Sequence, residues 1–273
     1  MELEREPAVA GRFYPADPAV LAEDVAALLA EHPGGRPTAE PPRPALGLLA
    51  PHAGYPYSGA VAGATYARVA VPERVVVLCP NHTGMGVRVA AWPGGAWLTP
   101  LGRVPVDAGL TAALLEGGLA APDRDAHLLE HAAEVQLPFL QLRRPDVAIA
   151  AVCLGPLSYA RCEEFGHAVA RAARRSGALV VASSDMSHYV PAAEARRKDG
   201  LALERVLALD PRGLHEVVRR EDITMCGYVP ATVMLVAALD LGAREAELVR
   251  YANSGDVTGD EDSVVGYAGV VVT

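Results

Sequence analysis

Five short apolar runs constrain this chain more than any other feature: Ala45 to Leu49, Arg74 to Cys79, Val147 to Cys153, Ala178 to Ser183 and Val264 to Val272. Each is too short for a helix and is bounded by turn residues such as Pro and Gly, so each reads as a buried strand. Longer segments with helical patterning lie between them: Pro18 to Glu31, Ser58 to Val69, Asp107 to Glu116, Glu130 to Leu142, Ser158 to Ser176, Ala192 to Leu209 and Val229 to Leu241. The first follows Asp17, an N-cap residue, with Pro18 at the first helical position. Strands alternating with helices predict an α/β fold, with a central, mostly buried mixed sheet flanked by helices on both faces. Nothing interrupts the alternation, so a single domain spanning 1–273 is expected. The one linker-like stretch, Pro33 to Pro44, reads as a loop inside that domain.

Composition removes several function classes. With 24 basic and 33 acidic residues the net charge is −9, which argues against a nucleic-acid binder with a broad basic face. The amino terminus, MELEREP, is charged, and no apolar run of about 18 residues follows, so neither a signal peptide nor a membrane span is expected. A cytoplasmic location with reduced thiols is the expectation. The four cysteines, at 79, 153, 162 and 226, form no CxxC pair, which excludes a disulfide scaffold and a self-evident zinc finger. Lys198 is the only lysine, which reads as biased codon usage.

In open α/β sheets ligands collect beyond the carboxyl ends of strands. Three of the expected strands each run into a histidine there: Pro51-His52-Ala53-Gly54-Tyr55, Pro80-Asn81-His82-Thr83-Gly84 and Ser184-Asp185-Met186-Ser187-His188-Tyr189. One such histidine is ordinary; three after three separate strands point to a shared site. Two imidazoles suit Fe, Zn, Cu or Ni, and the third ligand tunes the choice. Asp185, Glu130, Glu134 and a cysteine are the candidates for it. Cys79 and Cys153 lie inside apolar strands and Cys162 on a helix, where they read as packing residues. Cys226 stands just before a helix expected to start near Val229, a position that favours thiolate.

Other motifs compete less well. His127-Leu128-Leu129-Glu130-His131 matches H-x-x-E-H, an inverted zinc-peptidase pattern. Leu137-Pro138-Phe139 breaks the helix such a peptidase would continue, and His127 precedes that helix. No Walker loop, dinucleotide fingerprint or G-x-S-x-G elbow is present. Asn253-Ser254-Gly255-Asp256 reads as an acidic turn.

Taken together, Gly11-Arg12-Phe13-Tyr14-Pro15, Ala50-Pro51-His52-Ala53-Gly54-Tyr55 with Tyr57-Ser58-Gly59, Pro80-Asn81-His82, Glu130-His131 with Glu134 and Leu137-Pro138-Phe139, Ser183-Ser184-Asp185 with Ser187-His188, and Asn253-Ser254-Gly255-Asp256 resemble the Memo family. Its bacterial and archaeal members are called protein B of the AmmeMemoRadiSam system. The resemblance runs in order from about residue 5 to the end. It implies a fold similar to class III extradiol dioxygenases and a non-haem iron-type site. By it, His52, His82 and Cys226 are metal ligands, with cysteine where the dioxygenases use glutamate. His188 matches their catalytic histidine, Asp185 lies beside it, and His131 lies in or near the same pocket. Fe(II) is the implied cofactor, with Cu or Zn as alternatives for a thiolate site. The implied function is metal binding with a redox or dioxygenase-like activity on an unknown small molecule or peptide. The alternative is a binding or assembly module for radical-SAM or AMMECR-type partner proteins. The zinc peptidase on His127 and His131 is the least favoured.

Overall fold

The computed structural model describes residues 3–30 and 41–273. Strand β1 (Glu4–Arg5) leads to helix α1 (Pro18–Ala30), strand β2 (Gly47–Ala50), helix α2 (Tyr55–Ala67) and strand β3 (Arg74–Pro80). Strands β4 (Val89–Ala91), β5 (Ala96–Thr99) and β6 (Gly102–Pro105) follow, then α3 (Ala108–Leu115), β7 (Ala121–Pro122), α4 (Asp125–Leu128) and α5 (Leu137–Arg143). Next come β8 (Ala148–Leu154), α6 (Tyr159–Ser176), β9 (Leu179–Ser183), β10 (His188–Val190), α7 (Ala192–Leu207) and α8 (Pro211–Arg220). The chain closes with α9 (Tyr228–Leu241), β11 (Ala246–Asn253), α10 (Gly255–Thr258) and β12 (Val264–Val272).

All five expected strands are present, and they form the middle of a nine-stranded sheet of order β10-β12-β2-β9-β3-β8-β4-β7, with β11 paired to β12. Strands β2, β9, β3 and β8 are parallel neighbours, while β12 and β4 run antiparallel beside them, so the sheet is mixed as predicted. Side-chain alternation explains the layers. On β3, Val75, Val77 and Cys79 join the core built with α1, α2 and α5, whereas Val76 and Leu78 join the core built with α6, α7, α8 and α9. Every one of those five side chains is fully buried, which only helices on both faces can achieve. A small sheet, β1-β5-β6, adds Trp97 and Val104 to the first core.

Local signals account for the boundaries. Asp17 caps α1 by accepting from Ala19 N (2.9 Å) and Val20 N (3.0 Å). Glu31, the expected last residue of that helix, and most of the Pro33 to Pro44 stretch lie outside the described residues. Asp210-Pro211 repeats the Asp17-Pro18 signal: Asp210 accepts from Gly213 N (2.8 Å) and opens α8, a helix absent from the sequence-based expectation. Strand β11 was also unexpected, because Glu247 and Arg250 interrupt its apolar character.

One expected helix is corrected. Glu130 to Leu142 is not continuous: residues 129–133 are irregular, a single 3-10 turn spans Glu134–Gln136, and α5 starts afresh at Leu137 with Pro138 in its first turn. The carboxylates explain the break. Glu130 and Glu134 are both fully buried and accept backbone N–H groups from distant segments, which a regular helix surface would not allow. Among the described residues no helix is long and apolar enough to cross a membrane.

Candidate metal centre

Parallel register brings the carboxyl ends of β2, β9 and β3 to one edge, with Ala50 opposite Ser183 and Leu78 opposite Ala182. His52 follows β2 and is only 1% exposed. Asp185, just past β9, accepts from His52 N (2.7 Å) and Ala53 N (3.3 Å), so the two strand-end loops are laced together. His52 Nδ1 stands 2.8 Å from Ser183 Oγ. That hydroxyl donates its one proton to Ala132 O (2.7 Å) and accepts from Gln136 Nε2 (2.8 Å). It can therefore only accept from His52, which places the imidazole proton on Nδ1 and leaves a lone pair on Nε2. Burial, reinforced by the neighbouring His82, holds the His52 pKa well below the usual imidazole range, so the ring stays neutral.

His82 is presented in the same way by a different partner. Glu130 accepts from His82 N through Oε2 (2.6 Å), and its Oε1 lies 2.8 Å from His82 Nδ1. Burial works against the Glu130 carboxylate, but the His82 hydrogen bond and charge and the N–H of Ala132 outweigh it and hold its pKa down to about 2. An ionised carboxylate only accepts, so His82 also carries its proton on Nδ1 and frees Nε2. Burial disfavours a charged His82 ring, yet the Glu130 hydrogen bond and charge raise its pKa overall.

Cys226 closes the group. Its Sγ lies 3.3 Å from His52 Nε2 and 3.7 Å from Asp185 O. Gly227, the N-cap of α9, donates to Ser184 Oγ (2.9 Å) and passes so close to β9 that a Cβ there would meet Ser183 O at 2.3 Å. That contact seats the half-buried thiol against the histidines. The thiol pKa departs from expectation: burial, and secondly the Asp185 charge, push it up rather than down. Cys226 precedes the N-cap, and desolvation beside a carboxylate overrides the helix end. Candidate ligand atoms of His52, His82 and Cys226 all lie within 4.8 Å of one another. Two imidazoles whose Nδ1 atoms are committed to Ser183 and Glu130, together with one thiol, form a donor set that fits a transition metal.

The family model for Memo-like protein matches residues 5–271. The chain belongs to the Memo-like family. It is 44% identical to a MEMO1 family protein of Methanothermobacter thermautotrophicus, over 97% of this chain and 98% of that one. It is 43% identical to a MEMO1 family protein of Aquifex aeolicus, over 98% of each. The crystal structure of an uncharacterized Escherichia coli K12 protein shares the fold, with a TM-score of 0.53 and 14% identity, covering 82% of this chain and 98% of that one.

The remaining predicted residues of this Memo-like protein divide. His131 stacks on His82 (4.8 Å between centroids) and meets His52 edge-on (5.3 Å), with Phe13 also against it at 4.8 Å. Burial, then the His52 charge, lowers its pKa to about 4. Asp185 has its second oxygen 4.0 Å from His52 Nε2, and burial raises its pKa. His188 opens β10; its N–H donates to Thr224 Oγ1 (2.6 Å) and its Nδ1 lies 2.8 Å from Thr224 O, an acceptor that calls for a proton on Nδ1. A charge on His188 depresses the His52 pKa, so the two rings share one electrostatic environment.

His127 does not join them. It packs edge-on against Trp92 and Trp97 (5.9 and 5.8 Å), with Nε2 2.9 Å from Ala90 O. The H-x-x-E-H sequence is thus split: Glu130 and His131 face the centre while His127 lies in the core. This overturns the peptidase reading. Cys79, Cys153 and Cys162 are fully buried packing residues, as expected. Sequence reasoning treated Glu130 as a candidate ligand; its carboxylate meets His82 Nδ1 at 2.8 Å, and with His82 and His131 it forms a second group whose candidate ligand atoms lie within 4.8 Å of one another. It missed Ser183 and Gln136 as partners of His52; Ser183 sits at a strand end with Asp185, but nothing local marks Gln136.

Proposed function

We propose that this Memo-like protein holds one transition-metal ion through His52 Nε2, His82 Nε2 and the Cys226 thiolate, with Fe(II) favoured over Cu or Zn, and uses it in a redox or dioxygenase-like reaction on a small molecule or peptide. The observation that carries this is the commitment of both imidazole Nδ1 atoms, to Ser183 and to Glu130, with His52 Nε2 3.3 Å from the Cys226 thiol and candidate ligand atoms of all three residues within 4.8 Å of one another. A bound ion would supply open coordination positions and an electron couple, which the side chains alone lack. His188, whose Nδ1 faces the Thr224 carbonyl, would exchange a proton with a bound molecule through Nε2. Asp185 holds the His52 backbone, and His131 with Phe13 walls one side.

Anaerobic loading followed by metal analysis tests the assignment. The wild type is expected to take about one metal per chain, and His52→Ala and Cys226→Ser to lose it. Full iron occupancy in both variants would overturn it. Competition among Fe(II), Cu(I) and Zn(II) ranks the metals.

A second reading is favoured by one observation: Leu129 and Tyr189, the sequence neighbours of Glu130 and His188, are 66% and 77% exposed. Exposed apolar side chains next to site residues suit a peptide or a partner protein, here of the radical-SAM or AMMECR type. Co-purification of such a partner that survives His52→Ala but not Leu129→Asp would support it. Indifference to Leu129→Asp would count against it.

A further inference from the structure

Arg5 lies behind the centre and touches none of its three candidate ligands, yet its side chain is fully buried. Nε and Nη2 donate to His127 O (3.2 and 3.1 Å), and Nη2 also donates to Glu130 O (2.5 Å). Nη1 pairs with the Glu134 carboxylate and donates to Glu6 O (3.1 Å). The guanidinium lies 4.4 Å over the Trp97 ring. Glu134, equally buried, also accepts from Ala8 N (2.8 Å), Val9 N (3.0 Å) and Tyr14 OH (2.5 Å).

The segment held this way is the irregular stretch at 129–133, which has neither helix nor ladder to fix its path. Its carbonyl at 130 faces Arg5, while the side chain of the same residue faces His82. A planar guanidinium can satisfy two carbonyls and a carboxylate at once; a lysine ammonium, a point charge on a flexible stem, cannot reproduce that fork. We propose that Arg5 is a positioning residue of the metal centre: by gripping the Glu130 and His127 carbonyls it sets the Glu130–His82 contact and so the presentation of His82. This rests on the metal-binding reading above.

The test is anaerobic Co(II) titration of the full chain, followed by absorption spectroscopy, with a melting curve for each variant. Glu134→Gln is the control, because it loosens residues 8–14 without removing the bonds of Arg5 to the two carbonyls. Both Arg5→Lys and Glu134→Gln are expected to melt earlier. Co(II) affinity is expected to fall about 10-fold in Arg5→Lys, as for other residues behind a ligand, and to stay near wild type in Glu134→Gln. The thiolate-to-cobalt band should persist in Arg5→Lys, since Cys226 and His52 are untouched, while the d–d bands shift as His82 loosens. Wild-type affinity and d–d bands in a folded Arg5→Lys protein would overturn the proposal. So would losses that merely follow melting temperature in both variants. Should Arg5→Lys not fold, Arg5→Met with Glu134→Gln removes both buried charges together, and the same readouts apply. A wild type without a thiolate band, or a Cys226→Ser spectrum identical to it, sinks the metal-binding reading itself and this proposal with it. A normal wild-type band beside an unaltered Arg5→Lys spectrum sinks only the role of Arg5.

Discussion

Glu130 meets His82 at two points, taking its backbone N–H at 2.6 Å and standing 2.8 Å from its Nδ1. The first contact fixes where the residue sits, and the second fixes which ring nitrogen is bare. Both need an acceptor, and only a carboxylate offers two.

Glu130→Gln follows directly. A glutamine has one acceptor oxygen, so its amide must set a donor against either the His82 N–H or the Nδ1–H. Metal affinity is expected to fall by about 10- to 100-fold, read by competition with a chelator of known affinity. Unchanged affinity would remove Glu130 from its role in presenting His82.

Ser183→Ala acts on the other imidazole. It strips His52 Nδ1 and Gln136 Nε2 of a shared partner in the core. Leaving such buried donors unpaired costs about 1–3 kcal/mol, expected as a lower midpoint in urea for the metal-free protein. Ser183→Thr keeps the hydroxyl and should recover much of that loss.

Metal loading should release a proton. The Cys226 thiol is pushed above its usual range by burial and the Asp185 charge, and the His52 ring is already neutral. At mildly alkaline pH, Zn(II) is expected to displace about one proton per chain from Cys226. An indicator dye in weak buffer measures it, and Cys226→Ser should release fewer.

Stability should fall on acidification through His127. Burial, opposed by the Ala90 carbonyl and aided by the Arg5 charge, lowers its pKa from 6.5 to about 4. The unfolded chain therefore binds a proton that the folded one refuses. The stabilisation is complete above pH 6.5 and declines as pH drops toward 4, by up to about 3 kcal/mol. His127→Phe keeps a ring between Trp92 and Trp97 and should flatten that part of the profile of unfolding free energy against pH. A profile as steep as wild type would place the titrating group elsewhere.

Much of the fold was legible because its signals are local. Val75 to Leu78 can only be a strand covered on both sides, and Asp17-Pro18 can only begin a helix well. The failures are also physical. A continuous helix over Glu130 to Leu142 fits the periodicity, but buried contacts from Arg5, Ala8, Val9 and His82 to its two glutamates outweigh the helical preference. Strand β11 exists because β12 offers it a long antiparallel partner, a fact absent from its own composition.

By itself the sequence determined the α/β alternation and the delivery of His52, His82 and His188 to strand ends, since apolar period and turn chemistry are written residue by residue. Tertiary structure decided the rest. Cys226 reaches His52 across 174 residues of chain, through strand order and a glycine pressed against β9. Of two histidines in one five-residue motif, His131 faces the centre and His127 the core. Which nitrogen of each imidazole is bare, and whether a thiol is acidic or reluctant, depends on buried partners such as Ser183, Glu130 and Asp185. Those partners come from separate segments, and only the folded chain brings them within hydrogen-bond range.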